Sequence, residues 1–280
     1  GQTTVTRSVD ETVERMRQEI RKVKQLTDKP FGLQLNPTGK ETDHFTGPMM
    51  QLVFDEGLTA VAYGGAILPE IFQELHAHNV KVIFRTVAST PENSREAEVA
   101  GADIIVASGF DAGGTLPEKV VGTFSMIPMI VDAVDHTPVL ASGGIVDQRT
   151  ARAAMALGAD GVYAGTIFLL SQESRMAENV KQLAVNADAD QLLMYRAFPG
   201  YYRSLPGKLA DKLVTLDKSG ASGRDIFTAA GAFEGMHQGM ILGNLDQGYA
   251  SLGLGISSVH EIKPVEKIVA ELADGIAQEL

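Results

Sequence analysis

From Ser8 onward, apolar residues recur at helical intervals. Val13, Met16, Ile20, Val23 and Leu26 share one face, and Ser8 with Glu11 has the spacing of a capping box. Lys29-Pro30 ends that helix, because proline has no amide hydrogen to carry it on. The run FGLQL, Phe31 to Leu35, is short and apolar and is closed by Asn36-Pro37, which predicts a buried strand followed by a loop. The alternation then repeats. Strands are predicted from Thr59 (TAVAYG), Val80 (VKVIF), Asp103 (DIIVAS), Pro138 (PVLAS) and Gly161 (GVYAG), each preceded by an amphipathic stretch. Starts at 31, 59, 80, 103, 138 and 161 lie 28, 21, 23, 35 and 23 residues apart, the rhythm of repeated parallel βα units. Glu56-Gly57, Ala100-Gly101 and Leu157-Gly158 each stand just before a strand, where a left-handed helix cap is expected.

Right-handed crossovers turn this rhythm into either a barrel or an open parallel sheet. Six strands do not close an eight-stranded barrel, so two are expected either to be missing upstream of Gly1 or to be supplied in another way. After Thr166 the rhythm ceases. Residues 170 to about 250 read as helices and loops, including KSGASGRD from Lys218 to Asp225, and predict a helical insertion or lid. A last helix opens at Pro264 and places Val265, Ile268, Val269, Leu272 and Ile276 on one face, to pack against the body. The expected division is 1–170 as the barrel portion, 171–255 as the insertion and 256–280 as the closing helix.

Composition narrows the function. Of 280 residues, 44% are hydrophobic, enough for a sizeable core, and the formal charge of -11 repels nucleic-acid phosphates and anionic lipid. A small-molecule substrate is therefore expected, with no nucleic-acid or membrane partner. With no cysteine, thiol nucleophiles, disulfides and thiolate metal sites are excluded, and the reading is of a cytoplasmic protein. No run of about 18 apolar residues predicts a membrane span, and the opening GQTTVTRSVDE is unlike a signal peptide.

The chemistry-bearing motifs lie at predicted strand ends. Ser142-Gly143-Gly144 follows one strand and Gly165-Thr166 the next. Paired glycines bare their amide hydrogens, and a helix starting near Asp147 adds its positive end, so a phosphate could be held here without lysine. In (β/α)8 barrels phosphate sites recur after the seventh and eighth strands. The plainer alternative is that Gly143-Gly144 makes a tight turn and Gly165 avoids a clash. SGFDAGGT, Ser108 to Thr115, is a third site, whose glycines would let the chain approach a flat ligand closely. TGKE at Thr38 lacks a P-loop pattern, and GLGIS near Gly253 lacks the strand and helix that a dinucleotide fingerprint needs.

GFDAGGT, ASGGI and GADGVYAGTIFLLSQES, with DKPFGLQL before them and EIKPVEKIVAEL after, resemble the flavin-binding signature of the nitronate monooxygenases (2-nitropropane dioxygenases) and the FMN-dependent enoyl-ACP reductase II. The resemblance covers nearly the whole chain. It implies an α/β fold, a (β/α)8 TIM-type barrel without its first two strands, and an FMN-dependent oxidoreductase that oxidises small nitronates with molecular oxygen. It implies FMN phosphate on Ser142, Gly143, Gly144, Gly165 and Thr166, and the ring and ribityl chain near Gln34, Asn36, Arg85, Ser108, Ala112, Gly113 and Gly114. Family members usually carry a histidine after the paired glycines, as acid, base or substrate anchor. Here that place is Thr115, whose hydroxyl donates a hydrogen bond but is no base near neutral pH. Thr115 is thus the candidate catalytic residue, and an already ionised nitronate is the expected substrate. Two alternatives stay open: an NAD(P)H-dependent flavin reductase of the enoyl-ACP or quinone type, and a non-catalytic barrel holding FMN or another phosphate ligand. Assembly as a homodimer also stays open. His44 lies in a loop that could reach the barrel mouth but reads as solvated, and His76 and His78 read as helix-end surface residues or partners of the helix dipole. His136, His237 and His260 show no metal spacing with carboxylates, and no metal is expected.

Overall fold

The structure is a computed structural model that describes residues 8–277. Two compact units emerge: an N-terminal unit of 8–106 with 132–139, and a C-terminal unit of 107–131 with 140–277. These cuts differ from the expected boundaries at 170 and 255, which stay a proposal about roles along the chain.

The N-terminal unit opens with α1 (Val9–Leu26), where Ser8 Oγ accepts from the Glu11 amide at 3.2 Å. Three βα units and a fourth strand follow the predicted rhythm: β1 (Gly32–Leu35), α2 (Thr46–Asp55), β2 (Ala60–Tyr63), α3 (Pro69–Ala77), β3 (Lys81–Phe84), α4 (Pro91–Ala100) and β4 (Ile104–Ser108), the last beginning in this unit. The strands pair in parallel, Gly32 with Ala60 and Ala60 with Lys81. Glu56, beyond α2, is buried and receives Arg17 at 3.1 Å and Lys24 at 2.9 Å, tying α1 to α2. The Lys24 bond leads in holding its carboxyl below the ordinary range. Val61, Phe72, Leu75 and Val82 are fully buried, each worth roughly 1.5–3 kcal/mol relative to exposure. The Glu98 carboxylate accepts from the amides of Asp135, His136 and Thr137 at 2.9–3.0 Å, which fixes the segment 132–139. Burial pushes this carboxyl up, but the three amides and the Thr137 hydroxyl outweigh it and bring its pKa down to about 2.

In the C-terminal unit the elements are β5 (Thr115–Leu116), α5 (Thr123–Val131), β6 (Val139–Ser142), α6 (Gln148–Ala156), β7 (Gly161–Val162), α7 (Thr166–Leu169), α8 (Glu178–Val185), β8 (Leu193–Ala197), β9 (Gly200–Ser204), α9 (Lys208–Lys218), α10 (Gly223–Ala229), α11 (Ala232–Met236) and α12 (Val265–Ala277). β6 and β7 pair in parallel, Leu140 with Gly161. Asp147 caps α6 by accepting from the Thr150 amide at 2.8 Å. Ile145, Leu170, Val180, Ile256, Ile268 and Leu272 form one core cluster. α12 lies close on α6, since an ideal Cβ on Gly275 would stand 2.5 Å from the Gln148 carbonyl oxygen.

All six predicted strands form within one residue of their expected starts and are parallel, so the α/β reading stands. The reading of 170–250 as helix and loop alone is corrected: β8 and β9 make an antiparallel hairpin, and β5 adds to it as a third strand. Tyr195 and Ala197 turn inward while Met194 and Arg196 face out, a period of two over too few residues to be read from the sequence.

Candidate functional site

In the N-terminal unit the polar residues assigned to a flavin meet at the C-terminal ends of the strands. Gln34 Nε2 donates to Asn36 Oδ1 at 3.0 Å, the Gly64 amide to Leu35 O at 2.8 Å, and the Arg85 amide to Tyr63 O at 2.8 Å. An ideal Cβ on Gly64 would lie 2.6 Å from Asn36 Oδ1 and 3.2 Å from Arg85 O, so that glycine is what lets the three positions close up.

In the C-terminal unit Ser108 ends β4 and is buried. The loop after it is pinned through its backbone. Gly109 donates to Ser142 O at 2.9 Å, Phe110 to Val121 O at 2.8 Å and Leu254 to Asp111 O at 2.9 Å, while the Thr123 amide donates to the Asp111 carboxylate. A residue invisible to the sequence reading completes the frame. Arg203 on β9 is 3% exposed, donates from Nη1 to Ala112 O at 2.7 Å and from Nη2 to Phe110 O, and stands 4.7 Å over the Phe110 ring. Burial pulls the guanidinium below its ordinary pKa, and the Asp111 carboxylate counters the fall. A buried cation is tolerable only with its donors used, and these donors are spent on holding the loop.

Three loops then meet backbone to backbone. An ideal Cβ on Gly113 would lie 2.7 Å from the Gly253 nitrogen, one on Gly143 3.0 Å from Gly109 O, and one on Gly255 3.0 Å from Gly144 O. The Gly253 amide donates to Thr166 Oγ1 at 2.9 Å. Ala112, Gly113, Ser142, Gly143, Gly144 and Thr166 are thereby gathered in one place, and Ser251 Oγ donates to Gly114 O at 3.4 Å. An ideal Cβ on Gly165 meets nothing within 4 Å, as at Gly114, but unlike Gly114 its φ is negative. Among the described residues the amides of Gly144 and Gly165 have no acceptor. A cleft of about 330 Å3 opens beside this cluster, lined by Asp111, Thr123, Gly143, Gly144 and Leu254 at its polar end and by α5 and α6 side chains beyond.

Thr115 Oγ1 donates to Tyr202 Oη at 2.9 Å across the β5–β9 pairing. The Tyr202 ring lies parallel to Tyr195 at 6.3 Å and edge-on to Tyr249 at 6.1 Å. Burial pushes the Tyr195 and Tyr249 hydroxyls well above the usual phenol range. Tyr202 had no signal in the sequence beyond alternation along a strand that was not predicted. Of the histidines, His76 pairs with Asp103 at 2.9 Å and His78 stacks on Phe54 at 3.8 Å.

The family model described as nitronate monooxygenase matches residues 4–275. The chain belongs to the nitronate monooxygenase family. Its curated relatives include a (3aS,4S,5R,7aS)-5-hydroxy-7a-methyl-1-oxo-octahydro-1H-indene-4-carboxyl-CoA dehydrogenase of Mycobacterium tuberculosis, 32% identical over 81% of this chain and 62% of the relative. They also include a Staphylococcus aureus protein named "Probable nitronate monooxygenase", 40% identical over 47% of this chain. The chain spans 38% of the length of that second relative. Among solved structures, FabK from Thermotoga maritima is similar at a TM-score of 0.82 and 27% identity, over 98% of this chain and 83% of that one. Membership of the family agrees with the resemblance carried by GFDAGGT, ASGGI and GADGVYAGT. No helix among the described residues is long and apolar enough to cross a membrane.

Proposed function

We propose that the chain is an FMN-dependent oxidoreductase that oxidises small, already ionised nitronates. The carrying observation is Gly165. Its φ of -128° is not left-handed and its Cβ position is empty, so crowding inside the chain does not ask for glycine there. A phosphate brought against bare amides does ask for it. In this reading the amides of Gly144 and Gly165 and the hydroxyls of Ser142 and Thr166 hold the FMN phosphate, with Gly143 making the turn. Ala112, Gly113, Gly114 and Ser108 line the approach of the rest of the cofactor. Gln34, Asn36 and Arg85 keep their assignment to FMN as a proposal tested separately, by flavin content after Asn36→Ala.

When bound, FMN supplies the redox chemistry, taking reducing equivalents from substrate and returning them to molecular oxygen. The residues have other tasks. Thr115 and Tyr202 carry two hydroxyl hydrogens, of which one is used between them. Whichever way that bond runs, one hydrogen is left to donate, and an anionic nitronate oxygen is the acceptor it suits. Neither hydroxyl is a base near neutral pH, which favours substrate that arrives ionised.

Purified protein should be yellow and release FMN on heating, and it should consume oxygen with propane-2-nitronate. Colourless protein that takes up no added FMN would sink the cofactor assignment. A flavin-loaded protein inert toward nitronates but bleached rapidly by NADH without oxygen would instead mark a reductase, a reading that the names of the FabK and CoA dehydrogenase relatives favour. Inertness in every such assay would leave a phosphate-ligand-binding barrel.

A further inference from the structure

Successive residues of a strand face opposite ways. On β9, Tyr202 turns to Thr115, and its neighbour Tyr201 turns to a second pocket, of about 390 Å3, at the tip of the β8–β9 hairpin. Arg196, Phe198, Tyr201, Arg224 and Glu118 line it. The two guanidiniums differ in how they are held. Arg196 is fixed by Asp217, with Nε to Oδ1 at 2.6 Å and Nη2 to the carbonyl oxygen at 3.4 Å, which leaves Nη1 for another partner. Arg224 makes no ion pair among the described residues and lies 5.4 Å from the centre of the Phe198 ring, which is itself 54% exposed.

Asp217 balances Arg196, so Arg224 is the guanidinium of this pocket without an ion pair among the described residues, with Glu118 the one carboxylate lining it. Guanidiniums suit phosphate oxygens through paired N–H bonds. The exposed face of Phe198 suits a flat ring, with the partly buried Tyr201 beside it, and a guanidinium over such a face strengthens the stack. The volume lies at the small-ligand end of the ordinary range of roughly 300–1,000 Å3. A planar base joined to consecutive phosphates meets all three conditions. We propose that this pocket takes the adenosine diphosphate handle of a nucleotide-bearing co-reactant. Reduced nicotinamide dinucleotides and coenzyme A thioesters both carry that handle. The inference does not rest on the flavin assignment, since no residue is shared between the two sites.

The test is equilibrium dialysis of labelled ADP against the full chain loaded with FMN, with flavin content and melting temperature recorded for each variant. Saturable binding is expected, weakened about tenfold or more by Arg224→Ala and by Phe198→Ala, and tightened a few-fold by Glu118→Gln, which removes a like charge. Flavin content should stay the same in all three, so failure here is separable from failure of the FMN reading. Displacement of ADP by NADH identifies the dinucleotide as the source, and displacement by coenzyme A identifies the thioester. Displacement by neither, absence of saturable ADP binding up to millimolar concentration, or binding that ignores both Arg224→Ala and Phe198→Ala overturns the proposal. Inorganic pyrophosphate competing as well as ADP also overturns it, because the aromatic faces would then have no role.

Discussion

The glycine turns after β6 and after β7 look alike as sequence, and different causes require their glycines. After β6, Gly143 and Gly144 have φ of +107° and +73°, where a Cβ is strained, and Gly143 is also crowded by the loop at Gly109. The fold alone accounts for them. After β7, Gly165 has a negative φ of -128° and empty space where a side chain would go. A glycine that the chain does not need for itself points to a ligand that needs it.

Several changes would break or sharpen that contrast. Arg203→Met removes the cation that holds the loop after β4 and leaves the carbonyls of Phe110 and Ala112 unpaired in a buried site, at a cost of about 3 kcal/mol. Denaturant unfolding measures it, and a loss under about 1 kcal/mol would mean that the loop holds without the arginine. Gly165→Asp should leave stability unchanged, since a short acidic side chain is well tolerated at a helix N-cap, yet weaken FMN about 100-fold, or about 2.7 kcal/mol. Flavin titration of the apoprotein reads this directly, and unchanged affinity would move the phosphate elsewhere. Gly144→Ala should show the reverse order of effects. Its left-handed backbone costs about 1–2 kcal/mol of stability, visible in the melting temperature before any change in flavin affinity. Should Gly144→Ala prove neutral, the backbone explanation of the first turn fails.

Smaller effects are expected at the hydroxyl pair and in the N-terminal unit. Thr115→Val leaves Tyr202 without its partner and should lower turnover of ionised nitronate about fivefold, about 1 kcal/mol, with flavin content intact. Thr115→His should raise activity toward neutral nitroalkanes, and no change would show that the absent base is not what limits them. Glu98→Gln is a control far from either glycine turn in sequence. The folded carboxyl titrates at about 2 against an ordinary 4.5, so its contribution is complete above pH 4.5 and is lost as pH falls toward 2. The variant should therefore be less stable at neutral pH and show a flatter stability profile between those values, with FMN binding unaffected.

The parallel strands were legible because each is an apolar run bounded by turn residues, and because Gly57, Gly101 and Gly158 stop the preceding helices in the left-handed conformation that they do adopt. The glycine loops could be located too, since their composition is dense and local. What stayed hidden depends on partners distant in sequence. Arg203 reads as an ordinary exposed cation until β9 carries it under the carbonyls of residues 110 and 112, some ninety positions away. The β8–β9 hairpin was lost for a similar reason: Tyr195, Tyr202 and Tyr249 pack on helices of the same unit, and that burial, rather than local propensity, selects the strand. Of the apolar face predicted for α12, Ile268 and Leu272 are buried while Val269 is half exposed, which is the width that packing against α6 leaves covered.

The backbone interlock of Gly113, Gly253, Gly143 and Gly255 limits how this protein could be diversified. Where main chain touches main chain, no codon other than glycine offers a workable variant, so a library randomised across these loops would return the parental residues there. New specificity would have to enter through neighbours that do carry side chains at the cleft, such as Phe124 and Leu254, and a selection for altered substrates should enrich changes at those two positions.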